Sequence, residues 1–311
     1  MPTHSARTAS AALALMLAAG SAWADELHVP AQYPTIQAAI NAAIDGDEIV
    51  IAPGTYRELL DGRNKSLTYT GAGMGLTVLS GDLDEDGVPD GTVLTINDTT
   101  ATTYPTLTMR DLTVREGTRG VQVSRAGDTT ILRCAILSCS SNSSVSTPAF
   151  EIIASPSDKP GQALTIDGCA FVDNRVPIKS SYITQVSIRN TMILQNKQST
   201  TLDECGDITL DSSVVSENFA IGLRVTDCTS VTVSNSNFFG NRGSASEIIT
   251  TNTVEIYDSN FESNGGSNSR DSYAGGAVYT SYCSQLRIER CVFLDNHAIV
   301  GGAIFSRNAA T

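Results

Sequence analysis

Apolar residues stand two apart at the head of strip after strip along this chain. Leu164 and Ile166, Val186 and Ile188, Ile208 and Leu210, Val231 and Val233, Val254 and Ile256, and Leu286 and Ile288 all show it. A period of two belongs to a strand buried on one face, not to a helix. Turn formers follow at once, as in Asp167-Gly168, Asn235-Ser236 and Asp258-Ser259, so each strand is short. Every strip then carries a second apolar anchor: Phe171, Ile193, Val215, Phe238, Phe261 or Phe293. Three residues after each anchor comes an asparagine. Asn174, Asn196, Asn218, Asn241, Asn264 and Asn296 follow one another at intervals of 22, 22, 23, 23 and 32 residues. Two earlier strips, Leu107–Gly117 and Thr129–Cys139, fit with the asparagine replaced. A further strand-like stretch follows most asparagines, as in Gly222–Thr226 and Ala277–Thr280.

Self-similarity at such a period marks a solenoid. One coil of this size cannot bury its own apolar face, so it stacks on its neighbours, with equivalent residues ~4.8 Å apart. The six asparagines are then expected to form an internal ladder of side-chain amides bonded up and down the stack. A ligand site would not recur in every coil, so their role is structural.

Aromatic residues are few, at 6%, and Ser, Thr, Asn and Gly fill the turns. The long helical periodicities of an α/β protein are missing. The N-terminal stretch is the one departure. Met1–Ala24 carries His4 and Arg7, an apolar run Ala11–Ala19 and then Ala22-Trp23-Ala24. This reads as a secretory signal, with the mature chain from Asp25 to Thr311 as a single domain. The apolar run is too short for a spanning helix, and no later segment is long and apolar enough for one. The net charge of −13 argues against nucleic acid and against unassisted binding of anionic polysaccharide. Export places the protein outside the cell, at the cell surface or outer membrane, or in a periplasm.

The register sorts six of the seven cysteines into two columns. Cys134, Cys169 and Cys291 sit two residues before the anchor. Cys205, Cys228 and Cys283 sit three before the first strand residue. Cys205 and Cys228, and likewise Cys134 and Cys169, fall in consecutive coils. Two readings stay open for each pair: a disulfide, permitted in an exported protein, or stacked buried thiols.

Near the N-terminus, Thr35 caps an expected helix through Ala43, with Ile36, Ile40 and Ala43 on one face, to plug the first coil. Tyr33-Pro34-Thr35-Ile36-Gln37, then Gly46-Asp47 with Ile49-Val50-Ile51, then Pro53-Gly54-Thr55-Tyr56, resembles the opening of pectin-lyase-like right-handed parallel β-helix proteins. That resemblance implies the fold; it is shared by lyases, esterases and non-enzymatic surface proteins. Phe261–Asn264 with Gly275–Val278, and Phe293–Asn296 with Gly301–Ile304, resemble the paired F-x-x-N and G-G-A-I repeats of polymorphic outer membrane proteins. This second resemblance implies a surface-displayed, adhesin-like passenger. After the strand at Ala303–Ser306 no capping pattern precedes Thr311, so further coils or a partner are expected to cover that end.

The strongest chemical motif is Gly81–Gly91, where Asp82, Asp84, Asp86 and Asp90 follow D-x-D-x-D-G-x-x-D. Alternate carboxylates on a turning loop converge on a hard cation, and Ca²⁺ is the candidate; a solvated acidic turn is the alternative. The motif is similar to the calcium loops of thrombospondin type 3 repeats. The column of Glu116, Asp173, Glu217 and Asp295 reads as a solvated polar face. His28 and His297 carry no partner motif, and nothing marks Lys179, Arg224 or Arg287 as a base. Two insertions, Ser140–Gly161 and Gly265–Ala274, begin just after the asparagine column and are expected to project as loops on one edge, either idle or in contact with a ligand.

The expectation is an all-β, right-handed parallel β-helix of about ten coils with a short N-terminal capping helix. The leading function is a non-enzymatic exported module that binds a glycan or surface protein. The alternative is a polysaccharide lyase or glycoside hydrolase. An enzyme would gather carboxylates with Arg or Lys on the outer face of three adjacent coils.

Overall fold

The structure, a computed structural model, describes residues 24–97, 104–125, 127–140, 147–154, 161–266 and 275–308. The secretory signal expected at Met1–Ala24 lies almost wholly outside them, as do residues 141–146 and 155–160 of the first insertion and 267–274 of the second.

The chain winds through three parallel sheets, of eleven, ten and ten strands among the described residues. Each turn visits sheet A, then B, then C. Sheet A runs from Glu26–Val29 and Glu48–Ile51 to Gln285–Glu289, sheet B from Gly54–Arg57 to Val292–Leu294, and sheet C from Leu60–Asp61 to Ile304–Arg307. We number the turns as rungs, from rung 1 (48–61) to rung 10 (285–307). Every strand pairs in parallel with its equivalent one rung away. Val231, for example, lies between Ile208 and Val254, and Phe238 between Val215 and Phe261. The period-two residues face inward and form one continuous core from Leu27 to Cys283. Within it the Phe238, Phe261 and Phe293 rings stack at centroid separations of 4.9 and 5.0 Å.

Corners between sheets are made by a residue in left-handed conformation followed by one whose side chain turns inward. Asp111, Arg133, Asn190, Ser212 and Asn235 do this between A and B; Glu116, Ser138, Asp173, Gln195, Glu217 and Asp295 between B and C; Tyr182, Glu204 and Asp227 between C and A. A non-glycine residue held there costs about 1–2 kcal/mol. Where the inward residue that follows is polar, as with Thr191, Ser213 and Asn174, it offsets the cost by bonding the rungs together. At the B–C corner that residue is the asparagine. The backbone N–H of each donates to the Oδ1 of the next, at 2.9 Å for Asn174 to Asn196 and 3.0 Å for Asn264 to Asn296. Each Nδ2 also reaches back to the anchor carbonyl of the rung before, as from Asn218 to Ile193 and from Asn296 to Phe261. Cys139 holds the same position one rung before Asn174, and its N–H donates to the Asn174 Oδ1.

The first rung is closed by helix α1 (Ile36–Ala42). Thr35 caps it through Ala38 N, and Ile36, Ala39 and Ile40 are buried against the stack. Both helix ends are tied down. The Glu58 carboxylate accepts from Ile36 N and Gln37 N at 3.0 Å, and Lys65 Nζ donates to the carbonyls of Ile40, Asn41 and Ala43. Opposite charges thus meet the two orphaned ends of the helix. At the other end, rung 10 has no neighbour among the described residues, and Val292, Leu294 and Ile304 are exposed.

The Gly-Gly-Ala strips stack on each other in rungs 9 and 10, with Gly276 N donating to Gly301 O and Ala277 N to Ala303 O. A Cβ on Gly276 would stand 2.1 Å from the Gly302 carbonyl oxygen. Close rung-to-rung approach requires glycine there.

Candidate functional site on sheet C

Of the two readings left open for the thiol columns, the structure has the stacked thiols. All seven cysteines are free, so neither Cys205–Cys228 nor Cys134–Cys169 is a disulfide. Each thiol instead acts as a hydroxyl analogue in a corner ladder. Between sheets A and B the inward column continues from Cys134 and Cys169 into Thr191, Ser213, Ser236 and Ser259. Each hydroxyl donates to the carbonyl two residues earlier, as Thr191 does to Arg189 and Ser213 to Asp211, and accepts the backbone N–H of the preceding rung. Cys134 donates to Leu132 O at 3.3 Å, and Cys134 N donates to the Cys169 Sγ at 3.5 Å. Cys205 and Cys228 repeat this at the C–A corner, with Cys205 N donating to the Cys228 Sγ at 3.3 Å. Parallel side chains one rung apart stand ~4.8 Å from each other, beyond the usual ~3.8 Å Cβ separation of a disulfide. A bridge would break both ladder bonds and bend the rungs together.

In the acidic loop the structure brings three of the four aspartates together. One carboxylate oxygen from each of Asp82, Asp84 and Asp86 lies within 4.8 Å of the others. Asp90 stands outside that cluster: its Oδ2 accepts from Leu83 N at 2.7 Å, and its own N–H donates to Gly81 O, which closes the base of the loop. The loop leaves the stack after Ser80 at the B–C corner and returns at Gly91, whose carbonyl accepts from Thr118 N.

The residues Glu116, Asp173, Glu217 and Asp295 are left-handed corner residues at the B–C turn, and Asp173, Glu217 and Asp295 are exposed. Their partners are polar neighbours in the same column, such as Gln195 Nε2 donating to Glu217.

The insertions have a common relation to one sheet. In chain order, 81–91, 140–147 and 265–275 connect a sheet B strand to a sheet C strand, and the segments after Asn97 and Ala154 connect sheet C to sheet A; the single loop expected at Ser140–Gly161 is corrected, since its middle is the sheet C strand Pro148–Ile153. The outward column of sheet C runs, in register, through Gln122, Glu151, Lys179, Thr201, Arg224, Glu247, Tyr279 and Phe305. At ~4.8 Å per rung those eight residues span about 34 Å.

Glu151 is the pivot of this column. It faces outward, yet its side chain is only 7% exposed, because Arg119 and Lys179 close over it from the rungs on either side. Arg119 Nε lies 3.3 Å from Oε2 and Lys179 Nζ 3.7 Å from Oε1. Further along, Arg224 pairs with Glu247 at 3.2 Å. Asp203 lies on the same face, in the next outward column, opposite Ser181 and Thr226. Burial pushes its carboxyl above the usual range, and Glu204 and Asp227 add to the shift, with Lys179 and Arg224 opposing it. At the far end the Tyr279 and Phe305 rings stack at 5.8 Å, 11° from parallel. Carboxylates with Arg and Lys thus do gather on adjacent coils, the feature by which an enzyme was to be told from a passive passenger. Sequence reasoning missed Glu151 and Arg119. The signal was present in the sheet C strips Val121-Gln122-Val123, Phe150-Glu151-Ile152 and Leu223-Arg224-Val225, where the residue between two apolar ones must face out. By contrast, the outer face of sheet B exposes Met192, Phe239, Val292 and Leu294. Among the described residues, no helix is long and apolar enough to cross a membrane.

No curated protein matches the chain. Among solved structures it is similar to the ORF18 protein of Geobacillus virus E2, at 12% identity and a TM-score of 0.43, over 87% of this chain and 57% of that one. It thus spans little more than half of that protein's length. It is also similar to the A-module of the Azotobacter vinelandii mannuronan C-5 epimerase AlgE6, at 14% identity and TM-score 0.36, over 88% and 94% of the two chains. A third similarity is to rice weevil pectin methyl esterase, at 15% identity and TM-score 0.34, over 89% of each chain. The repeat pattern of right-handed β-helix regions matches residues 95–267 and 182–311, so the match runs without a break from the second sheet C strand onward. With three parallel sheets wound rung on rung, the chain belongs to the right-handed β-helix region family.

Proposed function

We propose that this protein is an exported β-helix module that holds an extended, hydroxyl-rich, largely neutral glycan along the outer face of sheet C. The observation that carries this reading is the column from Gln122 to Phe305. It sets hydrogen-bonding charge pairs and an aromatic platform in one line across eight rungs, on a sheet that the insertions precede or follow in the chain. Carboxylates accept from sugar hydroxyls, guanidinium and ammonium groups donate to them, and the C–H face of a sugar ring lies flat on an aromatic ring. The charges are held by their partners before any ligand arrives, which lowers the cost of ordering them on binding. A net charge of −13 disfavours a polyanionic ligand. Support for export is the pattern of Met1–Ala24, and support for surface display is the stacked Gly-Gly-Ala strips with their F-x-x-N partners.

The test is binding of the purified mature chain to a panel of immobilised neutral and acidic polysaccharides. Lys179 and Arg224 are partly exposed, so their alanine variants keep the core. The proposal expects saturable binding to a neutral glycan, weakened about tenfold by Lys179→Ala or Arg224→Ala, in line with the loss of one charged hydrogen bond. Absence of binding across the panel, or binding unchanged in both variants, would refute it.

Two observations favour a second reading, a lyase or hydrolase on the same face, the first being the gathering of carboxylates with Arg and Lys on adjacent coils. Asp203, with its raised pKa, lies beside Lys179 and Arg224, and an acid next to cations is what such chemistry needs. Release of unsaturated or reducing ends from a glycan, abolished by Asp203→Asn, would establish it in place of the binding reading.

A further inference from the structure

The acidic loop differs from an ordinary solvated turn in one atom. Asp82 is 7% exposed, and its Oδ1 is buried without a hydrogen-bond partner. Its other oxygen accepts from Gly87 N at 3.0 Å. An ionised carboxylate oxygen buried alone is costly, and a fold keeps one where something else satisfies it. Beside it stand Asp84 and Asp86, exposed, each contributing an oxygen to a cluster within 4.8 Å. Two oxygens bound at about 2.4 Å to one calcium ion can stand at most about 4.8 Å apart, so the cluster has the dimension a shared ion requires.

The backbone holds these carboxylates in place. Val88 N donates to Asp86 Oδ1 at 2.7 Å and Asp86 N to Asp84 Oδ1 at 3.4 Å. Gly87 turns the chain with φ +80°. Glu85, between two of the aspartates, points away and pairs with Arg57 at 3.1 Å, which leaves the cluster to the three aspartates. We propose that Asp82, Asp84 and Asp86 bind a single Ca²⁺, with backbone carbonyls and water completing its shell, and that the ion pins the 81–91 loop to the B–C corner beside sheet C. All the donors are hard oxygens, and Ca²⁺ accepts an irregular shell of them where Mg²⁺ demands a near-ideal octahedron. This inference is independent of the glycan reading.

The experiment is calorimetric titration of the chelator-stripped full chain with CaCl₂, with thermal melts in CaCl₂, MgCl₂ and EGTA. Two variants report on the site. Asp82→Asn keeps the shape and the acceptor for Gly87 N but removes the charge; Asp84→Ala removes an exposed ligand. The proposal predicts one-site binding of Ca²⁺, a melting temperature several degrees higher in CaCl₂ than in EGTA, and loss of that shift in both variants, whose EGTA melts fall no lower than the native chain's. A native chain that gives no heat and no shift, a shift equally large in MgCl₂, or a shift kept by both variants would overturn it.

Discussion

Asn218 Nδ2 donates to Asn241 Oδ1 at 2.8 Å while also donating to the Ile193 carbonyl at 3.1 Å, so one side chain bonds to the rungs on both sides of it. Its Oδ1 is used twice as well, by the N–H and the Nδ2 of Asn196, at 2.9 and 3.0 Å. The amide is saturated within a corner that water does not reach, since Asn218 is 1% exposed.

Asn218→Ala is therefore expected to destabilise the protein by about 3–5 kcal/mol, because it strands several buried donors and acceptors at once. Asn260→Ala, on the exposed face with a single bond to Asn237 Oδ1, is expected to change stability by no more than about 0.5 kcal/mol. Urea unfolding of the two variants checks the contrast; equal effects would contradict the ladder's role.

The buried thiols are expected to be inert in the native chain. Burial pushes Cys134 and Cys139 up to about 12 and Cys169 up to about 11. The reactive species is the thiolate, which these groups scarcely form at pH 8. Titration with a disulfide reagent at pH 8 should leave these three unmodified, and the denatured, unreduced chain should then yield all seven thiols. A denatured count below seven would show a bridge where the ladder places free thiols.

Asp203 gives a pH dependence of definite sign. Its folded pKa is raised, by burial first and then by Glu204 and Asp227, so the fold favours its protonated form. That contribution is fully present below the ordinary aspartate value of about 3.9 and is lost as pH rises through the raised folded value. Asp203→Asn, which mimics the neutral form, should raise the melting temperature at pH 7 and leave it unchanged at pH 3. A lowered melting temperature at pH 7 would mean that Asp203 acts as a stabilising anion.

What could be read from the sequence follows from what repeats. The inward residues of sheets A and B recur at fixed distances from the asparagine, so the stack, the anchors such as Phe238 and the column positions of Cys134 and Cys205 were legible. The bonding role of those thiols was not, because it depends on Thr191 and Ser213 filling the corner position of Cys134 in later rungs, and on Thr251 filling that of Cys205. Glu151 was hidden for a different reason. Its strand, Pro148–Ile153, follows an insertion that breaks the period, so alignment from the asparagine column does not reach it. Asp90 matched the spacing of the other three, but a spacing does not reveal that its carboxylate closes the base of the loop on Leu83 N. The capping helix was legible because Thr35 and the face of Ile36 and Ile40 are local signals.

The central claim, that the outer face of sheet C receives the ligand, is tested most directly by hydrogen exchange of the full chain with and without the glycan selected from the panel. Slowed exchange confined to Arg119–Ser124, Pro148–Ile153, Val176–Ser181 and the sheet C strands that follow is the predicted result. Protection on the Met192 and Phe239 face of sheet B, or on sheet A, with sheet C unchanged, would contradict it.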